Sequence, residues 1–254
     1  MATSFDANWK TEIQKPQEKI DSFLLIGQSN MAGRGIVGEV PAIDPRDMMY
    51  MLRNGRWTRM SEPLNPDRHV FADEPTQLRS GISLAASFAE SYANHYQRKV
   101  GLIPCADGGT AISEWQPGEI LFDHAVSEAK FAQRTSNIVG ILWHQGESDS
   151  TRPEDVAAYE QRFFTMIHEM KAQLGLADDI PVIVGELYSP YVRFPLSREL
   201  NTVLHRIADS SPSFGIASAQ GLILTGDGLH FNSASYRIFG RRYFEQYLAI
   251  RERV

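Results

Sequence analysis

Phe23-Leu-Leu-Ile-Gly-Gln-Ser-Asn-Met-Ala32 decides how this chain is read, because an apolar strand runs straight into a tight polar turn centred on Ser29. That placement is how an open α/β sheet presents a nucleophile. Further short apolar runs bounded by turn residues, Val100–Ile103, Ile138–Trp143, Val182–Val184 and Phe214–Ala217, predict the remaining strands. Between them, Leu84, Ala85, Phe88, Ala89 and Tyr92 fall at helical spacing within Ser83–Tyr96, and Pro153 is placed to open a helix running to about Leu174. A last helix, from about Ser233 to Glu252, would turn Tyr236, Phe239, Tyr243, Phe244 and Tyr247 inward. The alternation predicts a parallel sheet covered by helices, in which sequence-distant turns converge at the carboxyl ends of the strands.

A serine hydroxyl attacks nothing useful without a base to take its proton and donors to meet the developing oxyanion. Gly226-Asp-Gly-Leu-His230 puts a carboxylate three residues before an imidazole, so one loop can carry a base, His230, and the group that orients it, Asp227. Ala106-Asp-Gly-Gly-Thr110 and Trp143-His-Gln-Gly-Glu147 are polar, glycine-bearing turns after apolar runs. Gly108 or Gly109 can offer a bare backbone N–H, and Gln145 a side-chain amide. Each piece has a plainer explanation: Ser29 and Asn30 as a helix cap, Asp227-Gly228 as a turn, Trp115 and Trp143 as core. Their joint occurrence in one chain favours the chemical reading.

Taken together the four blocks resemble the SGNH/GDSL hydrolase superfamily, and within it the carbohydrate esterases of the acetylxylan esterase and sialate O-acetylesterase type. Gly27-Gln-Ser-Asn-Met-Ala-Gly33 is similar to the nucleophile block, Gly108-Gly-Thr-Ala-Ile-Ser-Glu-Trp115 to the glycine block, Gln145-Gly-Glu-Ser-Asp149 to the third block, and Asp227-Gly-Leu-His230 to the final acid and base. The resemblance implies a three-layer α/β/α sandwich with a parallel, flavodoxin-like sheet. It implies Ser29 as nucleophile, His230 as general base, Asp227 as the acid, and an oxyanion hole of Ser29, Gly108 or Gly109 and Gln145. Glu147 is the alternative acid, or an organiser of the third block. Gln28, Asn30 and Trp115 are candidate substrate contacts. The implied reaction is removal of O-acetyl groups from carbohydrate without metal or cofactor. Acetylated xylan fragments and O-acetylated sialic acid remain equal candidates for substrate.

Composition fits this expectation. At 254 residues and 43% hydrophobic content, one core and one domain are expected, with residues 1–20 as a polar extension. A net charge of −6 with interspersed signs argues against nucleic acid or an anionic membrane surface as partner. Arg237, Arg241 and Arg242 form the nearest approach to a basic cluster and are expected on a solvated helix face. Without a signal-like N-terminus or a spanning apolar run, and with Cys105 alone, the chain as given reads as cytoplasmic, or as exported if a signal has been removed. His144, Glu147 and Asp149 invite a metal reading that no second cluster completes. His69, His95, His124, His168 and His205 are expected on the surface or on helices.

The stretch from about Ile36 to Ser80 has little periodicity and reads as a long excursion over the active edge, shaping substrate access. Trp57, Phe71, Trp115 and Tyr188 are then candidate sugar-stacking platforms. A short-chain lipase or thioesterase with the same chemistry, a non-catalytic sugar-binding module and a polysaccharide acetyltransferase are the competing readings. Oligomeric state is open.

Overall fold

In the computed structural model, residues 20–65 and 80–253 are described. Seven strands form one sheet in the order β3-β2-β4-β1-β5-β6-β7, where β1 is Ile20–Gly27, β2 Met49–Arg53, β3 Arg56–Arg59, β4 Val100–Pro104, β5 Ser136–His144, β6 Val182–Gly185 and β7 Phe214–Ala217. All pairings are parallel except β2 with β3. Setting the β2–β3 hairpin aside, the order β4-β1-β5-β6-β7 is the flavodoxin-like winding expected from the sequence. Because the chain leaves β1 toward β4 and later returns across it to β5, the topological switch point, beside which open α/β sheets bind ligands, falls at the carboxyl end of β1.

The central strand β1 is buried throughout. Its alternation sends Phe23 and Leu25 to one layer and Leu24 and Ile26 to the other. After the single turn α1 (Ser29–Ala32), helices α2 (Leu84–Tyr96) and α6 (Ser233–Arg251) cover the first layer, and α3 (Ile120–Ala132), α4 (Pro153–Leu174) and α5 (Ser197–Asp209) the second. Ser83 caps α2 through its hydroxyl, Pro153 opens α4, and Asn232 caps α6. Helices α3 and α5 lie outside the helical segments named from the sequence, although Leu200, Val203, Leu204 and Ile207 recur along α5 at helical spacing and are all buried.

The excursion is not the unbroken loop expected. Met49–Arg59 folds as an antiparallel hairpin on the sheet edge, turned by Asn54 and Gly55 with φ of 50° and 70°. Asn-Gly between short apolar runs is a strong hairpin signal, and here it is masked by flanking Asp, Arg and Pro residues. Residues 66–79 of that excursion, and the polar N-terminal extension up to residue 19, lie outside the described residues. Among the described residues no helix is long and apolar enough to cross a membrane.

Candidate active site

Strand β1 ends at Gly27, whose φ of 129° and whose neighbour, the His144 carbonyl, admit only glycine: a Cβ there would lie 2.1 Å from that oxygen. The Gln28 N–H donates to the same carbonyl at 2.9 Å, binding the end of β1 to the end of β5. The chain then turns at once into α1, closed by Met31 and Ala32 N–H bonds to the Gln28 carbonyl. Ser29 opens this turn and is 6% exposed.

The loop between β7 and α6 folds back on itself through the Leu224–Phe231 bridge and a 2.7 Å bond from Thr225 N–H to the His230 carbonyl. Inside it, Asp227 Oδ1 accepts from the Thr225 hydroxyl (2.6 Å) and the Leu229 and His230 N–H groups (2.8 and 2.9 Å). Its Oδ2 lies 2.6 Å from His230 Nδ1, and His230 Nε2 lies 2.9 Å from Ser29 Oγ. An ionised carboxylate only accepts, so Nδ1 carries the hydrogen and Nε2 faces the serine hydroxyl as an acceptor. Partial burial pushes the Asp227 carboxyl up, but its donors outweigh that and hold it below the usual carboxylate range. The choice left open by the sequence therefore resolves geometrically: Asp227, not Glu147, lies against His230.

The third block is buried instead of open. The Gln145 side-chain amide was expected to donate to the substrate oxyanion, yet its Nε2 lies 2.6 Å from Asp149 Oδ2, 2.9 Å from the Thr110 carbonyl and 3.2 Å from Gln28 Oε1, so both of its hydrogens are taken up within the protein. This corrects the placement of Gln145 in the oxyanion hole. Glu147 is fully buried, accepts from Asn30 Nδ2 at 2.6 Å and faces His144 Nε2 at 3.6 Å. Burial pushes its carboxyl up, and the His144 and Asn30 contacts outweigh that to leave it low. Burial drives Asp149 the other way, up to about 6, against its bonds from Gln145 and the Ile112 N–H.

Gly108 and Ser29 are neighbours: a Cβ on Gly108 would lie 3.5 Å from Ser29 Cβ and 2.6 Å from an Arg34 guanidinium nitrogen. Gly109 turns the chain at φ 81° with open space around it. Beneath them Trp115 is fully buried, its indole N–H on the Thr110 hydroxyl at 3.0 Å and its ring edge-on to Trp143. Trp115 is thus a support of the glycine block, not a substrate contact or a stacking platform. Asn30 at 0% and Gln28 at 2% exposure are likewise interior, which corrects their assignment as substrate contacts.

Other expectations also move. Trp57 packs over Gly101, near the amino end of β4, and donates to Thr135, away from Ser29. Tyr188 stays partly exposed against Tyr191, and Tyr191 donates to the Leu229 carbonyl at 2.8 Å beside His230. Phe71 and His69 lie outside the described residues. Arg237 is not on a solvated face: it is 8% exposed and paired with Glu62, while Arg242 donates to the Ser218 and Gln220 carbonyls. Burial pushes the Cys105 thiol up, which suits a core residue rather than a nucleophile. Among the described residues no group of three or more His, Cys, Asp or Glu side chains could hold a metal ion.

The sequence reading missed Asn65, whose amide donates to the Ala106 carbonyl at 2.6 Å, and Arg34, Tyr191 and Tyr236 around the serine and base. Tyr236 stood out in the sequence only as an inward-facing residue of the last helix, and Asn65, Arg34 and Tyr191 lie in separate segments whose spacing carries no signal.

A serine at the end of the central strand thus meets a histidine and an aspartate from the last loop, at the carboxyl edge of a flavodoxin-like sheet. The chain belongs to the family described as carbohydrate esterase, sialic acid-specific acetylesterase, whose profile matches residues 19–249. A probable carbohydrate esterase of Arabidopsis thaliana is 30% identical over 260 residues, spanning 94% of this chain and 95% of that one. An Arabidopsis thaliana protein solved by X-ray crystallography superposes with a TM-score of 0.78 at 25% identity, over 91% of this chain and 99% of that one. The crystal structure of NanS shares the fold at a TM-score of 0.71 and 16% identity, over 94% of this chain and 99% of the other.

Proposed function

We propose that this carbohydrate esterase is a serine O-acetylesterase working through an acyl-enzyme, with Ser29, His230 and Asp227 as its triad. The carrying observation is the unbroken line from Asp227 Oδ2 through His230 to Ser29 Oγ, at 2.6 and 2.9 Å. His230 Nε2 takes the Ser29 proton as Oγ attacks the ester carbonyl, and the oxyanion is met by the Ser29 and Gly108 N–H groups. As the tetrahedral intermediate collapses, the sugar oxygen leaves with the proton held on His230. Water then gives its proton to His230 and attacks the acetyl-serine, and the Ser29 oxygen recovers the proton as acetate departs. Asp227 stays ionised throughout and steadies the imidazolium. The substrate class is an O-acetylated carbohydrate, such as acetylated xylan fragments or O-acetylated sialic acid, with Tyr188 as a partly exposed ring against Tyr191, which holds the base loop.

The test is hydrolysis of p-nitrophenyl acetate, butyrate and octanoate by wild type, Ser29→Ala and His230→Ala proteins of verified fold. Turnover should favour acetate and fall in both variants by several orders of magnitude, on the order of 10⁶-fold for a triad acting as a unit. Undiminished turnover in Ser29→Ala would sink the assignment. Acetate release from acetylated xylo-oligosaccharide against O-acetyl sialic acid then selects the sugar.

A further inference from the structure

Asn30, next in the chain to the nucleophile, touches both neighbours of the base. Its Oδ1 accepts from the Phe231 N–H at 3.3 Å and from the Tyr236 hydroxyl at 2.7 Å. Its Nδ2 lies 3.4 Å from the Leu229 carbonyl, which Tyr191 also holds, and donates at 2.6 Å to Glu147 Oε1. Residues 229 and 231 flank His230, so one fully buried amide ties the backbone on either side of the base to the residue beside Ser29. An amide works this way only in one orientation. The Tyr236 hydroxyl and Phe231 N–H are donors on one side, and a carboxylate that can only accept stands on the other.

We propose that Asn30 and Glu147 form a positioning pair for His230, Glu147 fixing which way the Asn30 amide faces and Asn30 fixing where the base stands relative to Ser29. The inference rests on the esterase reading. It explains why a carboxylate is kept in a fully buried place with Oε2 left without a hydrogen-bond partner, a costly arrangement unless its other oxygen holds something in place. It also accounts for His144, whose Nε2 faces the same Glu147 oxygen at 3.6 Å and whose Nδ1 lies 3.1 Å from Tyr243. The Tyr243 hydroxyl donates onward to the Trp143 carbonyl, so the imidazole is seated by the end of β5. Glu147 acts through Asn30, and its role needs an acceptor oxygen more than a charge.

That distinction gives the test. In Asn30→Asp the bond to Glu147 loses its amide donor, and kcat on p-nitrophenyl acetate should fall roughly ten- to a hundredfold with KM within about twofold, the loss expected when a base is slightly misplaced. Glu147→Gln, whose amide oxygen still accepts, should stay within about threefold of wild type. In the double variant Asn30→Asp/Glu147→Gln the bond re-forms with the glutamine donating, and kcat should recover about tenfold over Asn30→Asp. Tyr236→Phe removes only a hydroxyl and serves if the others fold poorly; it should lower kcat about three- to tenfold.

The His230 imidazole resonance, assigned by its absence in His230→Ala, is read without substrate. It should move in Asn30→Asp and Tyr236→Phe and return toward wild type in the double variant. A double variant no better than Asn30→Asp, a Glu147→Gln as inactive as His230→Ala, or an unmoved resonance in Tyr236→Phe would overturn the proposal. Wild type that hydrolyses no ester would end the esterase reading instead, and the resonance shifts would still decide the positioning.

Discussion

The base loop and the third block are built on opposite plans. Asp227 lies with its side chain 48% exposed, and its hydrogen-bond donors come from within three residues along its own loop. Gln145, Glu147 and Asp149 are buried, and their partners come from Gln28, Asn30, Thr110, Ile112 and His144, drawn from the turn into α1, the segment after β4 and the end of β5. A short-range loop can present a carboxylate to a histidine wherever it is placed. A long-range buried network binds strand ends together, and its polar atoms are consumed in doing so. The polar residues of one region therefore face chemistry, while those of the other face one another.

The sharpest test of that contrast is Asp227→Asn. An amide in place of the carboxylate can donate to Nδ1 and favour the wrong imidazole tautomer, so kcat should fall on the order of 10⁴-fold with little change in melting temperature. A loss below tenfold would remove Asp227 from the triad. Trp115→Ala comes next and should act on stability, costing about 3–5 kcal/mol in denaturant unfolding as a buried aromatic is truncated. A raised KM at unchanged stability would restore it as a sugar platform.

Gln145→Ala separates scaffold from oxyanion donor. It strips donors from buried Asp149 and the Thr110 carbonyl and should cost about 1–3 kcal/mol of stability. A fall of a hundredfold or more in kcat at full stability would instead place the Gln145 amide at the oxyanion.

Asp149 gives the smallest effect and one of definite sign. Its folded value, about 6, lies above the ordinary 3.8, so the folded state holds the proton more tightly. The associated stability is complete below about pH 4 and is lost as pH rises through about 6. Asp149→Asn should flatten that part of the melting-temperature profile. An unchanged slope between those pH values would show that another group carries it.

Much of this was legible in the chain. The strands β1, β4, β5, β6 and β7 announce themselves because each is short, apolar and closed by turn residues, and the spacing of Asp227 to His230 carries its own local geometry. Less legible was the hairpin Met49–Arg59, whose Asn-Gly turn sits among charged residues. Helix α5 had a clear apolar period that the surrounding polar segment obscured.

What the sequence by itself determined is a parallel sheet covered by helices, the serine at the end of β1 and the residues of the base loop, since these depend on period and on contacts a few residues long. Only the tertiary structure decided that Asp227 rather than Glu147 meets His230, that the Gln145 amide is spent inside the third block, and that Trp115 and Asn30 are interior. Those outcomes turn on which polar groups lose water and which partners they then find across more than a hundred residues of chain, as Asn30 finds Glu147. Residue type and spacing do not encode that competition; burial settles it, because a polar group removed from water must take whatever partner the packed elements bring to it.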